Sequence, residues 1–134
     1  MAEIPAREDG RVPRDGPGCV EGLVSTVIPV HDRPGMLVEA VESVLAQTYR
    51  PVEVIVVDDG STDRTPEVIE ELRRAEPEIV RTVRIENAGP GAAREAGRAL
   101  IRGEFVQYLD SDDLLLPEKF DLQVEALRRR PEAG

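Results

Sequence analysis

Apolar positions along the chain alternate between continuous runs and helix-spaced stripes. Val24 to Val30 reads as a buried strand. Met36, Leu37, Ala40, Val41, Val44 and Leu45 then recur at helical spacing, which predicts an amphipathic helix over 35–47. Val52 to Val57 is a second strand, and Thr65-Pro66-Glu67 opens a helix to about Ala75, with Thr65 as N-cap and Pro66 at the first helical position. Val80 to Ile85 is a more polar strand, expected near an edge. A small-residue helix follows over 91–101 and ends at Gly103. Phe105 to Leu109 is the fourth strand. Pro117 starts the last helix, striped by Phe120, Val124 and Leu127. Four strand–helix units predict right-handed crossovers and an α/β fold: a mostly parallel sheet of about four strands with helices on both faces, for which the order 3-2-1-4 is the expected one.

Residues 1–20 carry Pro5, Pro13, Pro17, Gly10, Gly16 and Gly18 among charges and show no apolar period. They read as a flexible leader, with order beginning near Leu23. The 134 residues suit one domain. A net charge of -10 argues against non-specific nucleic-acid binding, so no nucleic-acid partner is expected. One Cys and one His exclude an internal disulfide and a Cys/His metal site, so any cation must be oxygen-ligated. No apolar run reaches the ~18 residues of a membrane span, and the N-terminus lacks a signal-type apolar stretch. A cytoplasmic chain is expected.

The candidate chemistry sits where strands end. Asp110-Ser111-Asp112-Asp113 places three carboxylates in four residues, and Asp58-Asp59 follows the second strand. Clustered carboxylates repel unless water, donors or a cation take up the charge. In a 3-2-1-4 sheet the order reverses between strands 1 and 4, and ligands bind at such a point. The exits His31-Asp32-Arg33, Asp58-Asp59-Gly60-Ser61 and Asp110-Ser111-Asp112 would then line one crevice. The two-residue spacing of Asp110 and Asp112 on a strand end directs both to one side. Asn87-Ala88-Gly89-Pro90-Gly91 is either a plain loop or a place where backbone N–H groups approach phosphate. Arg94 either reaches an anionic ligand or pairs with a neighbouring acid. His31 either stacks on a base or is an exposed loop histidine.

Five segments, in order, carry a family resemblance: Ser25-Thr-Val-Ile-Pro-Val-His-Asp-Arg-Pro34, Ser43-Val-Leu-Ala-Gln-Thr-Tyr49, Val54-Ile-Val-Val-Asp-Asp-Gly-Ser-Thr-Asp63, Asn87-Ala-Gly-Pro-Gly-Ala-Ala-Arg94 and Tyr108-Leu-Asp-Ser-Asp-Asp113. Together they resemble the family-2 glycosyltransferases with the A-type fold, over roughly residues 23–130. The resemblance implies the nucleotide-sugar-binding portion of a metal-dependent, inverting glycosyltransferase. It implies a UDP-sugar as the expected donor and a saccharide or lipid-linked hydroxyl as acceptor. It further implies that Pro29 and Val30 approach the base through their backbone, and that His31 stands where the family usually has Tyr. Asp32 holds a position that is usually Asn or acidic. Asp59 would accept from the base with Asp58 nearby; Asn87, Gly89, Arg94 and Ser111 complete the donor site. Asp110 and Asp112 form the Asp-x-Asp motif for Mn²⁺ or Mg²⁺, Asp112 as metal ligand and Asp110 nearer the ribose. Glu95 replaces the family's common Asn.

In the family the catalytic base and acceptor site lie downstream of the last helix, so the expected base lies beyond Gly134 and none is nominated here. The isolated chain is expected to bind a nucleoside diphosphate weakly and to transfer sugar poorly, with strand 4 as an exposed edge open to self-association. Two other classes share parts of this pattern. A non-catalytic transferase-like binding or assembly module shares every feature above. A receiver-type signalling domain should carry its acidic pair after the first strand, not the second, and its expected downstream Lys is missing.

Overall fold

The computed structural model describes residues 11 and 19–129. Eight elements alternate: β1 (Val20–Val30), α1 (Pro34–Leu45), β2 (Val52–Asp59), α2 (Thr65–Ala75), β3 (Val80–Ile85), α3 (Pro90–Arg98), β4 (Gly103–Tyr108) and α4 (Lys119–Arg128). The strands form one sheet in the order β3-β2-β1-β4, and every strand pair is parallel. The expected fold class and strand order are therefore observed.

Strand alternation divides the core in two. Val24, Ile28 and Val30 of β1 and Val54 and Val56 of β2 face one side, where α1, α2 and α4 supply Leu37, Val41, Ile69, Phe120 and Val124. Val27, Ile55 and Val57 face the other side and meet Ala93 of α3. The close seating of α3 depends on Gly97, because a Cβ there would overlap Val27 and lie 3.0 Å from Val57 Cγ2.

Several boundaries differ from the expected ones, each for a tertiary reason. β1 begins at Val20 rather than near Leu23, since Val20 N donates to Arg102 O at 2.6 Å and Gly22 N to Glu104 Oε1 at 3.0 Å. A register shift between Val20 and Val24, with Gly22 at φ 80, hides that extension from any alternation pattern. Of the expected leader, Arg11 is buried, forms an antiparallel bridge to Phe105, and holds its guanidinium 5.8 Å from that ring's centroid. Cys19 packs half-buried beside the α3-side core. Residues 1–10 and 12–18 of that leader lie outside the described residues.

α1 stops at Leu45, short of Gln47, because the Gln47 side chain has another task. It donates to Leu116 O at 2.7 Å and accepts from Phe120 N at 2.9 Å, tying the end of α1 to the start of α4. α4 begins at Lys119 instead of Pro117, whose carbonyl accepts from Thr48 N at 2.9 Å. Thr65 is not an N-cap. It is the first helical residue, and its N–H donates at 2.8 Å to Asp63 Oδ1 just upstream. α3 spans Pro90–Arg98 rather than 91–101, because Leu100 and Ile101 turn tightly back onto Gly97 and Arg98. Gly103 opens β4 rather than ending the helix, and β4 closes at Tyr108, one residue early.

One polar cluster sits near the amino ends of the strands, on the α3 side. Glu53 is 1% exposed, next to the apolar Val54–Val57 stretch of β2. Its carboxylate accepts from Ser25 Oγ at 2.6 Å, Arg102 N at 3.0 Å, and Arg102 Nε and Nη2 at 3.0 and 2.9 Å. Arg81 Nη1 approaches at 3.4 Å. A buried carboxylate is tolerable only when so many donors replace its water.

Candidate functional site

The carboxyl ends of β1, β2 and β4, together with the start of α3, surround a crevice of about 460 Å³. Its lining comprises Pro29, Val30, His31, Arg33, Asp59, Asn87, Gly89, Pro90, Arg94, Asp110, Ser111 and Asp112. Ten of the twelve residues singled out from the sequence thus share one cavity wall. The other two, Asp32 and Asp58, do not line it. Arg33, beside Asp32 in the β1 exit, does.

Adjacent strand residues project to opposite faces, and that decides the fates of Asp58 and Asp59. Asp58 points to the α1/α2 side and is 4% exposed. It accepts from Ser61 N at 2.9 Å and from Arg84 Nη1 at 2.6 Å, while Arg84 Nη2 donates to Ser61 O at 2.9 Å. Arg84 is the cross-strand register partner of Asp58 on β3. Sequence reading missed this brace, for which the polar character of β3 was the available signal. Asp59 points to the α3 side and is 5% exposed. Its two carboxylate oxygens accept from Ala88 N at 2.8 Å and Gly89 N at 3.0 Å. With Ala88 and Gly89 so engaged, and Pro90 lacking an N–H, any phosphate contact from this helix start moves to Gly91 or beyond.

Asp32 joins the β1 exit to the β2 exit. Its backbone adopts φ 51, a left-handed conformation uncommon outside glycine. It is held there by its N–H donating to Ser61 Oγ at 2.9 Å, while its Oδ1 accepts from Thr62 N at 2.8 Å and Asp63 N at 3.3 Å. The Thr62 amide, foremost, keeps the Asp32 carboxyl below the usual carboxylate range. His31 Nδ1 lies 2.8 Å from the Asp59 carbonyl oxygen, an acceptor, which places a proton on Nδ1. Its Nε2 faces Asp32 Oδ2 at 3.3 Å. Asn87 Nδ2 donates to the same Asp59 carbonyl at 3.0 Å. The β1 exit, the β2 exit and the Asn87–Gly89 segment after β3 are therefore cross-bonded.

Gly60 permits this convergence. It sits at φ 69, and a Cβ there would lie 2.7 Å from Asn87 N. Gly60→Ala is expected to combine left-handed strain of about 1–2 kcal/mol with displacement of the Asn87 loop. A urea midpoint shift together with changed amide resonances at Asn87 and Ala88 would show both. An unchanged midpoint would count against the close approach.

On the β4 side, Leu109 N donates to Val27 O at 3.0 Å, and the chain then turns, with Asp113 N donating to Asp110 O at 3.0 Å. Asp110 and Asp112 thus lie in a turn past the end of β4, not on the strand itself as the spacing had suggested. Turn geometry nonetheless gathers them: one carboxylate oxygen each from Asp110, Asp112 and Asp113 lie within 4.8 Å of one another, all exposed. Neither Asp59 nor Asp32 belongs to this group; their carboxylates are occupied by backbone amides. Arg94 Nη2, from α3, reaches Asp110 Oδ1 at 3.0 Å.

Residues 25–134 match the model of a family described as Glycosyl transferase family 2. The chain belongs to that family. A glycosyltransferase of Rickettsia felis is 38% identical over 102 residues, covering 76% of this chain and 17% of that protein. The S. aureus protein TarS, solved in complex with UDP-GlcNAc, superposes with a TM-score of 0.69 at 28% identity, over 78% of this family-2 chain and 31% of its own. The mannosyltransferase PcManGT from Pyrobaculum calidifontis, in complex with GDP-Man and Mn²⁺, gives 0.71 at 27% identity, over 81% and 32%. This family-2 chain thus spans about a third or less of each of these three proteins. No described helix is long and apolar enough to cross a membrane.

Proposed function

We propose that the crevice binds the nucleoside-diphosphate part of a sugar donor, a UDP-sugar, and that a divalent cation, Mn²⁺ or Mg²⁺, is held by Asp112 and Asp110. The observation that carries this reading is the meeting of Asp59, Arg94 and the Asp110–Asp112 turn, from three separate strand–helix connections, along one wall. The converging oxygens of Asp110, Asp112 and Asp113 are hard donors in a water-accessible turn, which fits a Mg²⁺ or Mn²⁺ that retains part of its hydration. A cation there supplies charge neutralisation for a departing diphosphate.

The chain's own groups do the rest. Pro29 and Val30 present backbone to the base, and His31, fixed by the Asp59 carbonyl, offers a ring face. Asp59 shapes the Asn87–Gly89 wall rather than serving only as a contact to the base. Asp110 and Ser111 face the ribose. The donors named for TarS and PcManGT, UDP-GlcNAc and GDP-Man, support a nucleotide-sugar ligand, and the Mn²⁺ of PcManGT supports a cation. In the whole protein the reaction is sugar transfer to a saccharide or lipid-linked hydroxyl with inversion. No general base is assigned within this chain.

Calorimetric titration of UDP tests the reading. Saturable heat is expected with Mn²⁺ or Mg²⁺ and little with EDTA. Asp112→Ala should weaken cation-dependent binding roughly tenfold or more, as expected when one of few protein ligands is lost. Its urea midpoint should stay unchanged, because the side chain is exposed. Equal heats for wild type and Asp112→Ala would defeat the metal assignment.

A further inference from the structure

We propose that Arg94 acts as an internal stand-in for the divalent cation, so that cation and guanidinium compete for Asp110. This rests on the donor-site reading above and adds a control element to it. Arg94 lies in α3 and Asp110 in the turn after β4, yet its Nη2 closes on Asp110 Oδ1 at 3.0 Å. Asp110 is also one of the three carboxylates whose oxygens gather within 4.8 Å. A single positive charge therefore already offsets part of the repulsion that a cation would offset more fully.

Competition follows from geometry and charge. A cation at the turn draws electron density from the Asp110 carboxylate and places a second positive charge beside the guanidinium, which opposes the ion pair. Both partners are about half exposed, 43% for Arg94 and 55% for Asp110, so the pair is weak enough to exchange. Arriving cation releases Arg94 into the crevice, where a long cationic side chain can meet the anionic nucleotide. The same contact links α3 to the β4 exit across the crevice lining. Cation and nucleotide then bind with positive coupling that passes through Arg94.

The test uses the full 134-residue chain and Mn²⁺ alone, followed through the electron paramagnetic resonance of free Mn²⁺ at fixed ionic strength. Arg94→Gln is expected to tighten Mn²⁺ roughly three- to tenfold, the scale of removing an exposed ion pair and one nearby positive charge. Arg33→Gln removes the same charge from the same crevice without breaking that pair, and should change the affinity less than about twofold. A second readout is direct: the Arg94 Nε–H resonance of the wild-type chain should shift as Mg²⁺ saturates, and should not in Asp112→Ala. An Arg94→Gln chain with unchanged or weaker Mn²⁺ affinity, or one no tighter than Arg33→Gln, overturns the competition. If UDP and Mn²⁺ still bind in that case, the donor-site reading survives alone. Absence of saturable Mn²⁺ binding in every variant overturns both.

Discussion

Glu53→Gln is expected to destabilise the chain by about 3–5 kcal/mol, the scale of breaking a buried, hydrogen-bonded ion pair. The change is nearly isosteric, so no cavity is made. Yet the carboxylate takes hydrogen bonds from Ser25 Oγ, Arg102 N and the Arg102 guanidinium on its two oxygens. An amide keeps one oxygen and turns an NH₂ toward donors, leaving at least one of them without an acceptor at a position 1% exposed. Urea denaturation should show a lower midpoint with an unchanged slope. Nucleotide affinity of the folded fraction should be retained, because Glu53 lies at the start of β2 and the crevice lies past its end. A loss below about 1 kcal/mol would mean that the Arg81 and Arg102 guanidinium groups, 31% and 48% exposed, relax into water and water reaches the carboxylate.

Asp59→Ala should remove nucleotide binding and cost stability together. The side chain is 5% exposed, and both oxygens accept backbone N–H groups of the Asn87–Gly89 segment. Charge-assisted bonds of this kind contribute about 1.5–3 kcal/mol each, so a loss of about 2–4 kcal/mol is expected once the freed amides find water. The crevice wall formed by Asn87, Gly89 and Arg94 would lose its anchor, and UDP affinity should fall more than about tenfold. Asp59→Asn separates the two contributions. It retains one acceptor and should recover part of the stability while leaving either Ala88 N or Gly89 N facing an N–H donor. Calorimetry with UDP and Mn²⁺, paired with thermal denaturation, distinguishes this from Asp112→Ala, for which affinity falls and stability does not. An Asp59→Ala chain of wild-type stability would show that the loop holds itself.

Much of this was legible because several segments keep a clear apolar period. Val54 to Val57 is a continuous run, Val24 to Val30 is one broken mainly by Ser25 and Thr26, and α2 opens at Thr65 with Pro66 behind it. Acids at the ends of such runs pointed to one rim because a parallel sheet places every strand exit on the same side. The side chains that escaped notice were those whose partners are distant in sequence. Glu53 reads as an interruption of an apolar strand until Arg102, 49 residues on, is brought beside it. Arg84 reads as an edge-strand charge until the β2–β3 register sets it against Asp58.

The chain's own order of residues determined its elements, its parallel sheet and the rim at which its unusual acids collect. These follow from local period and from the handedness of strand–helix–strand units, both short-range properties. Only the tertiary structure decided which acid does what: Asp58 bracing Arg84, Asp32 clamping Thr62, Asp59 holding Ala88 and Gly89, and the Asp110–Asp113 turn open to solvent. A carboxylate's task depends on which donors reach it, and those donors arrive through strand register and loop closure over tens of residues, which no local window of sequence encodes.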